Sequence, residues 1–152
     1  MKIHIIAVGR AKRGPESSLY DHYISRMRWP VQLHEVEEKK RLSGAELKSR
    51  EAELLLGVVP KGAVVIALDE RGKAVSSLEL STKIKSWEDQ SRPEIAFVIG
   101  GADGLDEVVR NRADLTLNFG KLTWPHMLVR AMLAEQIYRV QQIHAGHPYH
   151  RE

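Results

Sequence analysis

Short apolar, β-branched runs alternate along the chain with stretches in which apolar residues recur at helical spacing. "IHIIAV" (Ile3 to Val8), "AVVIAL" (Ala63 to Leu68) and "EIAFVI" (Glu94 to Ile99) are nearly continuous in apolar character, as parallel strands covered on both faces must be. "VQLHEVE" after Pro30 alternates instead, and "DLTLNF" (Asp114 to Phe119) reads as a further strand. Between them, Leu19, Tyr23 and Met27 predict a helix over 19–29, which Pro30 ends. Ser43 and Ser76 are each followed three residues later by a glutamate (Glu46, Glu79), the signature of a capping box. The helices they open are expected to run to about Gly57 and Asp89. The segment "DERGK" between the middle strand and Ser76 reads as a turn. A short helix is expected over 107–112. A long one follows from a Thr123 cap, with Pro125 in its first turn, to about His144, where Gly146 and Pro148 stop it.

This alternation predicts one α/β domain over residues 1–152, a mostly parallel sheet of five to six strands with helices on both faces. Ligands of such sheets sit beyond the carboxyl ends of the strands. Leu68, Gly100 and Phe119 all fall at those ends, so three segments far apart in sequence are expected to meet on one edge.

Composition adds limits more than direction. The chain has no cysteine, which excludes disulfides, thiolate zinc sites and a cysteine nucleophile. No apolar run approaches the roughly 20 residues of a membrane helix, and the N-terminal run is short for a signal peptide, so a cytoplasmic protein with no membrane contact is expected. The net charge of +3 permits a nucleic-acid partner without requiring one.

The bare stretch "FVIGGADGL" carries the first chemical hint. It lacks the G-x-G-x-x-G spacing, and no Gly-Lys-Ser/Thr occurs in the chain. Asp103, Asp106 and Glu107 would oppose a phosphate placed there. An adenosine-bearing ligand with a positive centre and no phosphate, S-adenosylmethionine, suits such a loop. The other reading is a tight turn in which Asp103 or Asp106 caps the next helix. The second hint is the cluster of polar rings near the C-terminus. His144, His147 and His150 are evenly spaced, but Gly146 and Pro148 deny them a shared helical face and no acidic ligand accompanies them, so no metal is expected. His126 stands at the start of the last helix, beside the last strand-end segment.

The tail "LTWPHMLVRAMLAEQIYRVQQIHAGHPYHRE" and the loop "FVIGGADGL" resemble the ribosomal RNA large subunit methyltransferase H family, of the SPOUT class. "IIAVGR" and "ALDERGK" are similar to it as well, and the resemblance spans the whole chain. It implies a C-terminal trefoil knot and a homodimer. It implies transfer of a methyl group from S-adenosylmethionine to N3 of a pseudouridine in helix 69 of 23S rRNA, within the assembled ribosome. On this resemblance the cofactor would lie against Leu68, Gly100 and Gly101, and along Phe119, Gly120, Lys121, Leu122, Thr123 and Trp124. Tyr149, His150 and Arg151 would enter the active site with His126, one of them taking the proton and Arg151 gripping phosphate or the uracil edge. The last helix is apolar between Met127 and Ala134 except for Arg130, which fits cover by a partner subunit whose tail completes the site. Arg130 and Arg139 are expected to pair with Glu135 or to face RNA. Arg10, Lys12, Arg13, Lys39, Lys40 and Arg41 are candidate phosphate contacts. Two rival readings are a nucleotide- or flavin-binding module and a ribosome-bound RNA-binding protein without catalysis.

Overall fold

Ten elements follow one another in the computed structural model, which describes residues 1–152: β1 (Lys2–Val8), α1 (Pro15–Ile24), β2 (Val31–Val36), α2 (Gly44–Gly57), β3 (Val64–Lys73), α3 (Ser77–Asp89), β4 (Glu94–Ile99), α4 (Glu107–Arg112), β5 (Leu115–Leu117) and α5 (His126–His144). The strands form one sheet in the order β2-β1-β4-β3-β5, and every pairing is parallel. All five carboxyl ends therefore share one edge.

Strand side chains alternate between the two faces, and each face finds its own cover. Ile3, Ile5, Val64, Ile66, Ile95 and Phe97 pack against Leu80 and Ile84 of α3 and Leu133, Ile137 and Val140 of α5, with Tyr20 and Ile24 of α1 beside them. Ile6, Val65, Ala67, Ala96 and Val98 pack against Ala52 and Leu55 of α2 and Val109 of α4. Double cover is the reason β1, β3 and β4 read as unbroken apolar runs. No helix is long and apolar enough to cross a membrane.

Four local expectations change. The first helix begins earlier, at Pro15, whose fixed φ suits a first turn, and closes at Ile24 rather than running on to Trp29. Ser43 occupies the cap of α2 but makes no cap bond; the following Gly44 stands at φ 57, which turns the backbone out of register with the hydroxyl. The Ser76 box does form, with Glu79 N–H donating to Ser76 Oγ at 3.1 Å and Ser76 N–H donating to Glu79 Oε2 at 2.6 Å. Helix α5 starts at His126 with Pro125 as its cap, two residues later than a Thr123 cap would place it. Finally, "DERGK" is not a free turn. Leu68 and Lys73 both pair with Leu117, so residues 69–72 bulge out and the strand resumes. Gly72 is essential to that return, since a methyl group there would stand 2.6 Å from the Thr116 carbonyl carbon.

Candidate active site

The carboxyl edge of β3, β4 and β5 opens into a cleft of about 280 Å³. Three chain segments build it: 68–71 after β3, 99–104 after β4, and 117–124 after β5, with His126 and Val129 of α5 closing one side. These are the segments expected to converge, and they do. Leu68, Gly100, Gly101, Phe119, Gly120, Leu122, Thr123, Trp124 and His126 all line the cleft. Lys121 is exposed and does not line the cleft.

Backbone, not side chains, forms much of the wall. Gly104 N–H donates to Gly101 O at 3.0 Å, closing a tight turn, and a methyl group on Gly100 would stand 2.9 Å from the Gly104 carbonyl. Asp106 caps α4 by accepting from Val108 N–H at 2.9 Å. The turn-and-cap reading is thus correct for Asp106, and it is compatible with a loop that also faces a ligand. Asp69, Glu70 and Asp103 supply acidic groups, Arg71 the one guanidinium, and Leu68, Leu122, Trp124 and Val129 apolar surface. A flat heteroaromatic base and a cationic group fit this lining; a chain of phosphates does not.

Asn118 was not singled out by the sequence, yet it ties the site together. Its Nδ2 donates to Gly72 O at 2.6 Å, its backbone N–H to Lys73 O at 3.0 Å, and its Oδ1 accepts from Gly120 N–H at 3.0 Å. The 119–124 segment is so fastened to the bulge after β3. Trp124 Nε1 folds back onto Phe119 O at 3.2 Å and closes that segment on itself.

Arg130 neither pairs with Glu135 nor faces solvent. It is 3% exposed and its Nη1 donates to Glu35 Oε2 at 2.6 Å, while Nη2 donates to Gly9 O at 2.9 Å. Glu35 also accepts from Ala11 N–H at 2.6 Å. Burial pushes the Glu35 carboxyl up, but the Arg130 and Ala11 hydrogen bonds outweigh it and hold the group below the usual carboxylate range. This latch anchors the start of the basic loop that holds Arg10, Lys12 and Arg13. Arg139 does pair with Glu135, at 2.6 Å.

The tail lies apart from the cleft within one chain. Tyr149 Oη donates to Glu135 Oε1 at 3.0 Å, its ring packs edge-on against Tyr138 at 4.9 Å, and Arg139 sits over it at 4.8 Å. Arg139 Nη1 donates to His150 Nδ1 at 3.1 Å, and Arg151 is exposed. Burial, then the bond to Glu135, pushes the Tyr149 hydroxyl up to about 12, so it stays a neutral donor. Glu135 is nine residues beyond His126 on α5, a rise of about 14 Å. Tyr149 and His150 thus pack against α5 through Glu135 and Arg139, outside the lining of the cleft, while the neighbouring Arg151 is exposed. Next to that group is a larger hollow of about 540 Å³, walled by α1, α3 and α5, which includes Glu135 and shares Phe119 and Gly120 with the cleft. No group of three or more His, Asp or Glu side chains is gathered as a metal would need.

Residues 1–150 match the family model described as "Predicted SPOUT methyltransferase". Ribosomal RNA large subunit methyltransferase H of Rhodospirillum centenum is 59% identical over 151 residues, covering 99% of each chain. The protein of the same name from Paramagnetospirillum magneticum is 54% identical over the same span and coverage. Among solved structures, a probable methylase family protein from Haemophilus influenzae superposes with a TM-score of 0.60 at 14% identity, over 99% of this chain and 70% of that one. A second, concerned with 2-OH methylation of C/U34 on tRNA, gives 0.53 at 21% identity, over 95% and 97%. At such identities the two structures speak for the fold alone.

Proposed function

The chain belongs to the ribosomal RNA large subunit methyltransferase H family of SPOUT methyltransferases, and from that premise we propose that it methylates N3 of a pseudouridine in helix 69 of 23S rRNA on the assembled ribosome, with S-adenosylmethionine as donor. The observation that carries this reading is the cleft at the carboxyl edge, where three segments, two of them glycine-bearing, present backbone, acidic and apolar groups and little positive charge.

When bound, the donor supplies an electrophilic methyl group on a sulfonium. The protein's part is to hold and to orient. Leu68, Leu122 and Trp124 offer apolar cover to an adenine, and the backbone of 100–104 and 119–123 offers N–H and carbonyl groups to its edge. Glu70 and Asp103 favour the cationic centres of the donor, while Asp69 is already paired with Arg71 and Arg110. The target nitrogen must lose its proton as the carbon–nitrogen bond forms, and positioned imidazole or carboxylate groups serve that step. His126 stands at the cleft for it. Tyr149 and His150 pack beside Glu135 and Arg139, outside the lining of their own cleft, and in this reading they and Arg151 serve the partner's cleft in a homodimer.

The hollow between α1, α3 and α5 favours that arrangement. It is bordered by Leu19, Tyr23, Val75 and Met132 and adjoins both the tail cluster and the cleft. A second copy seated there would bring its tail towards the first copy's cleft. The same reading includes threading of the 118–124 segment as the trefoil knot of the family, in keeping with the Asn118 and Gly72 contacts. It also places the protein in the cytoplasm with its ribosomal substrate, and the loops of Arg10, Lys12, Arg13, Lys39, Lys40 and Arg41 against rRNA phosphates.

Isothermal titration calorimetry tests the cofactor half of the reading. S-adenosylmethionine is expected to bind at one site per chain, while ATP and flavin mononucleotide give no heat. Binding of either phosphorylated ligand, with none of the sulfonium donor, would replace this reading by the nucleotide-module one.

A further inference from the structure

Glu51 carries the only buried side-chain oxygen in the protein without a hydrogen-bond partner, its Oε1. It sits on the inward face of α2 between apolar neighbours and is 7% exposed. Its carboxyl is pressed against the outside of the glycine loop. A methyl group on Gly101 would stand 2.9 Å from Oε2 and 3.2 Å from Oε1, and 3.2 Å from Val8 Cγ1. The side chain that Gly101 lacks is therefore space that Glu51 fills. The other side of the same loop lines the cleft.

We propose that Glu51 is a positioning residue, whose carboxyl is the backstop that fixes the 100–104 loop in the position from which it lines the cleft. This rests on the cleft being the donor site. Glu51 touches neither the cleft interior nor any group placed there, so it acts only through Gly101.

Its surroundings favour the neutral form of the carboxyl over the charged one. A buried carboxylate with no donor is strongly disfavoured, and a protonated carboxyl is a compact polar group with one donor of its own. Burial first, and then the field of Asp103 on the loop, push its proton affinity upward. Nothing cationic relieves this. Arg50 on the same helix is turned to Glu38 and Glu53, and Arg110 of α4 is held by Leu105 O and Asp69. β1 places the apolar Val8 beside the same point.

The test uses the full chain and the variants E51Q, E51A, G101A and E51A/G101A. Amide hydrogen exchange of residues 100–105 without any ligand is the first readout, and calorimetric affinity for S-adenosylmethionine the second. E51Q, which mimics the neutral group, should exchange and bind within about twofold of wild type at pH 6–7. E51A should speed loop exchange by about tenfold or more, with β1 and β4 amides unchanged, and weaken binding comparably. G101A should weaken binding too, and E51A/G101A should bind better than G101A, because the new methyl group enters the vacated space. As the pH is raised to 9, loop exchange corrected for its intrinsic rate should accelerate in wild type and not in E51Q. An E51A loop as protected as wild type overturns the proposal, and so does an E51Q loop as mobile as that of E51A. Should E51A not fold, the pH comparison of wild type with E51Q decides alone: parallel curves would refute the proposal. Failure of wild type to bind the donor would instead sink the proposed function, while the exchange data still decide the role of Glu51.

Discussion

Arg130 on the last helix reaches under the first strand to Glu35, 2.6 Å away, and the pair is joined by the Ala11 N–H and the Gly9 carbonyl. The two residues are 95 positions apart in sequence, and together they lock α5, β1 and β2 at the carboxyl edge. A buried guanidinium depends on its partner more than a carboxylate that keeps some contact with water does, since removing one member strands the other.

Glu35→Ala should therefore destabilise the protein by about 3 kcal/mol or more, and Arg130→Met by less, because methionine fills the volume and Glu35 retains contact with water. Urea denaturation measures both. The solvent-exposed pair Arg10–Glu37, at 3.6 Å, is the control and should give under about 1 kcal/mol for Glu37→Ala. The pair also has a pH signature. The folded protein holds the Glu35 pKa below its unfolded value of 4.5, so this stability is present above pH 4.5 and is lost as the pH falls further. Glu35→Gln should flatten that acid limb. Equal losses for Glu35→Ala and Glu37→Ala would contradict the account of the latch.

Glu51 predicts the opposite sign. Its folded-state pKa is raised above 4.5, so the folded protein holds a proton that the unfolded chain releases, and stability falls as the pH rises from 4.5 through the folded value. Glu51→Gln should be more stable than wild type at pH 8 and indistinguishable from it near pH 4. Thermal melts across that range measure the difference. A Gln variant less stable than wild type at pH 8 would mean that the carboxylate has a donor after all.

If the tail works in trans, two inactive variants should rescue each other. Arg151→Ala should lose turnover while keeping cofactor affinity. A cleft variant such as Gly101→Val should lose affinity, because its side chain meets Glu51 and Val8. Mixed in equal amounts and allowed to exchange subunits, they form heterodimers with one intact composite site, and activity should return to about a quarter of wild type. No recovery, with exchange verified by mass, would place the tail in its own chain's site.

The sheet was legible because its strands are buried on both faces, so Ile3 to Val8 and Glu94 to Ile99 announce themselves without help. The meeting of Leu68, Gly100 and Phe119 followed from parallel order alone. What sequence could not reveal is long-range pairing among polar residues. Arg130 looked ready for Glu135 five residues on in the same helix, since local spacing is all that a sequence displays, yet it is satisfied by Glu35 and a backbone carbonyl near the N-terminus. Glu51 was not singled out, because its charged neighbours Arg50 and Glu53 give its stretch of α2 no apolar signal. Asn118 was hidden at a strand end, where asparagine usually signals a turn. The signal that could have flagged it was the adjoining Gly120. The tail residues were assigned to the site through the family resemblance, but their place relative to His126 depends on the helix between them, and the structure packs Tyr149 and His150 against Glu135 and Arg139, outside the cleft lining.

The central claim is that the carboxyl-edge cleft delivers a methyl group to a single base of the large-subunit rRNA. Incubation with radiolabelled S-adenosylmethionine and ribosomes lacking the modification, in parallel with protein-free 23S rRNA, followed by mapping of the label, tests it most directly. The account predicts label at N3 of one pseudouridine in helix 69, in ribosomes and not in free rRNA, and its loss in Gly101→Val. Label in protein or tRNA, or none in rRNA despite bound donor, would contradict it.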